Sequence, residues 1–166
     1  MIFVALGTHE QPFERALDAV TPLAIEHELV IQHGHTPPRA GLPARWLGFT
    51  GYAEVVDLMR RADAIVCHAG VGTIMTALSF GKHPVVLPRL ATHGEHVDDH
   101  QLQITRAFGE RGIVVPCLTP GEITASIERA AALPVSGSTR KGNLLGAVRE
   151  AAAGGRPALV AHRPHS

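Results

Sequence analysis

The chain is nearly without large aromatic side chains: phenylalanine, tyrosine and tryptophan together make up 4% of 166 residues, with a single tyrosine and a single tryptophan. A core of stacked rings is thereby excluded. Valine, leucine, isoleucine and alanine must fill the interior, as they do in a parallel sheet covered by helices on both faces. Net charge is absent too, at 15 basic and 15 acidic side chains, which excludes the broad basic face that non-specific nucleic-acid binding needs. No apolar run approaches the roughly 20 residues required to cross a bilayer. Residues 1–6 are apolar but short, and they lack the basic start and cleavage site of a signal peptide, so a soluble, cytoplasmic protein is expected. Cysteine occurs twice, as Cys67 and Cys117, each near the end of an apolar stretch. Two buried thiols are expected rather than a disulfide.

What is present is an alternation. Hydrophobic residues reach 45%, enough for one domain of this length to bury a full core. Apolar runs predict strands at 2–6, 28–32, 45–49, 64–67, 84–87 and 113–116. Between them, helical spacing predicts helices from Pro12 to about His27, over 52–61, over 73–80 with Gly81 as its cap, and over 96–111 closed by Gly112. Thr119 and Glu122 resemble a capping box before a helix ending near Ala132. The expected fold is a doubly wound, mostly parallel α/β sheet of about six strands, Rossmann-like, over residues 1–135. A linker and a further helix over 141–153 follow, packing on this domain or on a partner. Residues 154–166 have no periodicity and are expected to be frayed or disordered.

Three loops carry polar residues at the ends of strands, where an open parallel sheet holds its ligand. The first is Gly7-Thr8-His9-Glu10-Gln11-Pro12. His9 has three open roles: accepting a proton from an attacking hydroxyl, donating a hydrogen bond to a phosphate, or capping a helix. The second is Gly70-Val71-Gly72-Thr73, which opens a helix. It lacks the third glycine of a dinucleotide fingerprint, where Met75 stands, and the lysine of a P-loop. What remains is a glycine turn that admits a diphosphate to free amides and a positive helix end, or else an ordinary tight turn. The third runs from Arg89 to Gln101. Arg89 is placed for a ligand anion, and Asp98 and Asp99 suit the start of a helix. His93, His96 and His100 have a metal-like spacing without an H-E-x-x-H frame or an outlying ligand.

The stretches GTHEQPF, HAGVGTIMTAL, and PR followed by GEHVDDHQ resemble, in this order and spacing, the C-terminal domain of family 28 glycosyltransferases. The resemblance covers residues 1–135. It is nearest to the small catalytic subunits of bacterial two-component exopolysaccharide glycosyltransferases, which are similar to the cytosolic subunit of the dolichol-linked GlcNAc transferase. It implies the C-terminal half of a GT-B enzyme, the half that holds a UDP-sugar. By similarity Phe49 and Thr50 lie beside the uracil, and Gly7, Thr8, His9, His68, Gly70, Gly72 and Thr73 line the diphosphate. Arg89, Glu95, His96, Asp99, His100 and Gln101 surround the donor sugar, with His9 and Glu95 as catalytic candidates. Relatives place a glutamate near position 76 for the ribose, where this chain has Thr76. The implied chemistry is inverting transfer without a bound metal or cofactor. The acceptor, a polyprenyl-diphosphate-linked saccharide, would be held by a membrane-bound partner subunit, placing the chain at the inner face of the membrane. A nucleotide-sugar-binding regulatory module is the alternative; a histidine-rich metal hydrolase and an epimerase fit less well.

Overall fold

A computed structural model describes residues 1–134. The helix expected over 141–153 and the tail expected over 154–166 lie outside the described residues. Six strands and five α-helices follow one another: β1 (Ile2–Ala5), α1 (Glu14–Val20), β2 (Leu29–Gln32), β3 (Arg45–Leu47), α2 (Tyr52–Arg61), β4 (Ala64–Cys67), α3 (Val71–Ser79), β5 (Val85–Val86), α4 (His100–Glu110), β6 (Val115–Pro116) and α5 (Ile123–Ala132).

All strand pairings are parallel, in the order β3-β2-β1-β4-β5-β6. Every residue of β1 and β2 is buried, because helices cover both faces. On one face Ile2 and Val4 pack with Leu17 and Val20 of α1 and Ile123 of α5. On the other, Phe3 and Ala5 pack with Leu58 and Met59 of α2, Ile74 and Ala77 of α3, and Ile104 and Phe108 of α4. Each fully buried leucine, isoleucine or phenylalanine contributes about 1.5–3 kcal/mol over an exposed one. The chain runs outward from β1 to β3, then returns to lay β4 against the other side of β1. The strand order therefore reverses between β1 and β4, and a ligand crevice opens above such a point.

Local chemistry moves several boundaries. The helix expected from Pro12 to His27 is α1 followed by a 3-10 segment at Thr21–Ile25. Pro22 has no N–H to continue the α-helical ladder, and Thr21 Oγ1 bonds the Leu17 carbonyl at 2.7 Å. The helix expected from 96 begins only at His100. Before it, Ala91–His93 form a 3-10 turn stopped by Gly94 at φ 67°, and Asp99 Oδ1 accepts the Ala91 amide at 3.0 Å. Helix α3 starts two residues earlier than expected, with Gly70 as its N-cap. At the expected capping box, Glu122 reaches back to the Leu118 amide at 3.0 Å, and a 3-10 turn precedes α5. Both cysteines are free and buried, and burial pushes the Cys67 thiol up to about 12.

Candidate functional site

The loops after β1 and β4 face each other across the reversal point, and His68 fills the space between them. Gly7 has φ +81°, and a Cβ built there would lie 2.6 Å from His68 Nε2. A Cβ at Gly70 would run into the same ring, although its φ of −70° is ordinary. These two glycines are therefore required by the imidazole. Gly72 is different: a Cβ there would meet nothing within 4 Å. It sits in the first turn of α3, whose leading amides have no helical acceptor and whose dipole presents its positive end. Gly72 and Thr73 are thus the part of the turn open to an anion.

Two glutamines tie the loops together from beneath. Gln32 accepts the Gly7 amide at 3.1 Å and donates to the carbonyls of Gly7 and Gly48 at 3.2 Å each. Gln101 Oε1 accepts the amides of Ala69 at 3.2 Å and Arg89 at 3.1 Å. Gln101 was expected to hold a sugar; its side chain is 9% exposed, and its carbonyl oxygen instead joins the ends of β4 and β5.

Arg89 and Glu95 likewise have a different placement from the one expected. Arg89 is 1% exposed. It lies on the Phe13 ring, 4.6 Å from the centroid, and donates to the carbonyls of Leu6 (2.9 Å), Gln11 (2.7 Å) and Glu95 (3.2 Å). Burial lowers its guanidinium to about 10, against the raising effect of Glu95. Glu95 is 4% exposed. Its oxygens accept Arg15 Nε at 3.0 Å and Nη2 at 2.8 Å, and the Leu90 amide at 3.0 Å. A carboxylate with both oxygens so engaged is a strut between α1 and the loop after β5, not a free base facing a substrate. Arg15 itself had no role in the sequence reading. Its position in the first turn of α1 was the available signal, but nothing local names a partner so far along the chain.

Three imidazoles gather around Arg89. His68 is held down to about 4, chiefly by burial, then by the charges of Arg89, His9 and His96. His9 is lowered by burial and by His96 and Arg89, with Gln11 and Glu10 acting the other way. Both rings are therefore neutral, base-form imidazoles at neutral pH. The His9 and His96 rings lie 4.6 Å apart. His9 Nδ1, Gln11 Oε1, His68 Nδ1 and Arg89 Nε are buried without a hydrogen-bond partner among the described residues. Orphaned polar atoms are rare in folded interiors, and four in one crevice mark a polar site.

The family model of the glycosyltransferase family 28 C-terminal domain matches residues 1–158. The chain belongs to this family. A curated relative, the UDP-N-acetylglucosamine transferase subunit ALG13 of Yarrowia lipolytica (strain CLIB 122 / E 150), is 36% identical over 73 residues, 42% of this chain and 35% of the relative. Among solved structures, the glycosyltransferase of kitacinnamycin superposes with a TM-score of 0.60 at 21% identity, over 92% of this chain and 39% of that one. SnogD from Streptomyces nogalater superposes at 0.49 and 20% identity, over 90% and 37%. The chain thus spans well under half the length of these proteins. Its α/β fold with six parallel strands is that of the C-terminal half of GT-B glycosyltransferases.

In this family 28 domain the loop after β3 exposes an aromatic pair. Phe49 is 65% exposed and meets His35 edge-on at 4.8 Å. Tyr52, the first residue of α2, is 73% exposed, and its hydroxyl lies 3.5 Å from Thr76 Oγ1. Thr76 donates to the Gly72 carbonyl at 2.8 Å. Tyr52 was not singled out from the sequence, although an exposed aromatic directly after a glycine was a readable signal. Thr50 lies beside Glu54, with Oγ1 3.4 Å from Oε2. Thr8, Asp99 and His100 are exposed at the rim. His96 and His100 do not share a helical face, since α4 begins at His100. Among the described residues no group of three histidine, cysteine or acidic side chains is placed to hold a metal, and no helix is long and apolar enough to cross a membrane.

Proposed function

We propose that the chain is the donor-binding subunit of an inverting, UDP-sugar-dependent glycosyltransferase. The observation that carries this reading is the start of α3 at the strand-reversal point, where Gly72 leaves the first-turn amides open to a diphosphate. Phe49, Thr50 and Tyr52 flank the base, and Thr76 with Tyr52 offers neutral hydroxyls to the ribose. Asp99 and His100 at the rim face the sugar. The name of the curated relative, a UDP-N-acetylglucosamine transferase subunit, supports a hexosamine donor.

His9 is the base. It is held neutral by burial and neighbouring charge, and it sits across from the diphosphate turn. It takes the proton of the acceptor hydroxyl as that oxygen bonds to the anomeric carbon. The bond from that carbon to the diphosphate oxygen breaks, and its electron pair leaves with UDP. The positive end of α3 and its amides stabilise the charge arriving there. The proton then passes from His9 to solvent.

A relative named as a transferase subunit supports a division of labour. In this reading a separate membrane-bound subunit presents a polyprenyl-diphosphate-linked saccharide at the inner face of the membrane, in exopolysaccharide or capsule synthesis. Titration calorimetry with UDP and with its GlcNAc, glucose, galactose and glucuronate conjugates tests the donor reading. Saturable binding of UDP and a preference among the conjugates are expected. Absence of UDP binding would overturn it.

A further inference from the structure

Two imidazoles from loops far apart in sequence meet over the crevice. His9 follows β1 and His96 follows β5; their ring centroids are 4.6 Å apart and their planes inclined by 37°. His96 is fixed from its other side. Its Nδ1 lies 3.0 Å from Asp98 Oδ1 and 3.3 Å from the Asp98 amide nitrogen. A protonated Nδ1 donates to the carboxylate, and an unprotonated one accepts from the amide. The ring thus keeps one orientation in either protonation state. Asp98 is itself anchored, its Oδ1 accepting the His100 amide at 3.0 Å. That bond first, and His96 after it, hold the Asp98 carboxyl below the usual carboxylate range.

We infer that His96, anchored by Asp98, is a positioning residue for His9, setting the plane of its ring. This rests on the reading of His9 as the base in the preceding section. The groups facing His9 are few. His96 stacks on it, Arg89 and His68 lie behind it, and Glu10 and Gln11 flank it in its own loop. Arg89 is spent on carbonyls and His68 is walled in by glycines. His96 is the member of the set that both touches the ring and is itself anchored by a carboxylate. After burial, the charge of His96 is the next cause that lowers His9. The sugar-holding role expected for His96 is replaced by this one.

The test is a histidine-resolved NMR titration of the full chain, which needs neither nucleotide nor acceptor. Wild-type His9 should titrate below a free imidazole. His96→Phe keeps the ring contact and removes the charge, so the His9 midpoint should rise by about half a unit or more while its ring-current shift persists. His96→Gln should raise the midpoint and abolish that shift. Asp98→Asn, at an exposed position, loosens the anchor and should reduce the ring-current shift of His9. A His9 midpoint that stays put in both His96 variants, or a His9 ring-current shift unmoved in Asp98→Asn where those fail to fold, overturns the inference. The underlying reading fails differently. A His9→Ala chain that still transfers sugar in its complex removes the base assignment, whereas the coupling of the two rings is read without turnover.

Discussion

Arg15 and Glu95 are joined by two charge-assisted hydrogen bonds, Nε to Oε1 at 3.0 Å and Nη2 to Oε2 at 2.8 Å, that clamp α1 to the loop after β5. The pair is buried, so its members are costly to separate: removing one partner leaves a charge in the interior, at about 3–5 kcal/mol. Glu95→Gln should therefore lower the unfolding free energy by that order, measured by chemical denaturation, while the folded fraction keeps its affinity for UDP. Unchanged stability with lost transfer would instead return Glu95 to the catalytic machinery.

Gly70 has an ordinary helical-side φ, so only the His68 ring stands against a side chain there. Gly70→Ala should destabilise by about 1–3 kcal/mol. The same change in a His68→Ala background should cost far less. A double-mutant cycle measures the difference, and purely additive effects would show that the ring is not the obstacle.

Gly72 faces open space. Gly72→Asp puts a carboxylate in the first turn of α3, where the helix dipole favours it, so thermal stability should hold or rise slightly. The same carboxylate stands where the donor reading puts the diphosphate, and UDP affinity should fall at least tenfold, about 1.4 kcal/mol. Calorimetry beside a melting curve separates the two effects. Stability lost together with affinity would contradict this.

The aromatic pair should read the base alone. Phe49→Ala and Tyr52→Ala should each weaken UDP by about 1 kcal/mol and leave inorganic pyrophosphate binding as it was. An equal loss for both ligands would move the pair away from the uracil.

Acid should loosen the fold through His68. Its folded value of about 4 lies below the 6.5 of a free imidazole, so between those values the unfolded chain binds more protons than the folded one. Stability is thus undiminished above pH 6.5 and falls as pH drops toward 4, by about 3 kcal/mol at the lower end. His9 contributes in the same direction. Denaturation midpoints taken along this range should slope downward with acid, and His68→Gln should flatten most of the slope.

The elements were legible because most of the strands, β1 and β4 above all, are continuous apolar runs separated by glycine and helical spacing. Their order was not, since no residue of β4 says locally that it will lie beside β1. The glycine turns were legible in the sequence, yet the structure gives some of the polar residues beside them partners that the sequence did not show. Arg89, Glu95 and Gln101 stand at the ends of strands, where ligand-facing residues also stand. What turns them inward is Arg15, Phe13 and the amides of Ala69 and Leu90, brought close only by the closed sheet. Pro22, by contrast, was a visible reason for α1 to stop early, and it was passed over because the apolar spacing continues beyond it.

Gln32 and Gln101 act as two rivets in the floor under the donor, each gripping the exit points of neighbouring strands. A floor fastened this way has its shape before any sugar nucleotide arrives, and little ordering entropy is left to spend on docking. In the donor reading proposed above, a change of sugar preference falls to the exposed lip at Asp99 and His100, where residues can be exchanged without disturbing the bolted base.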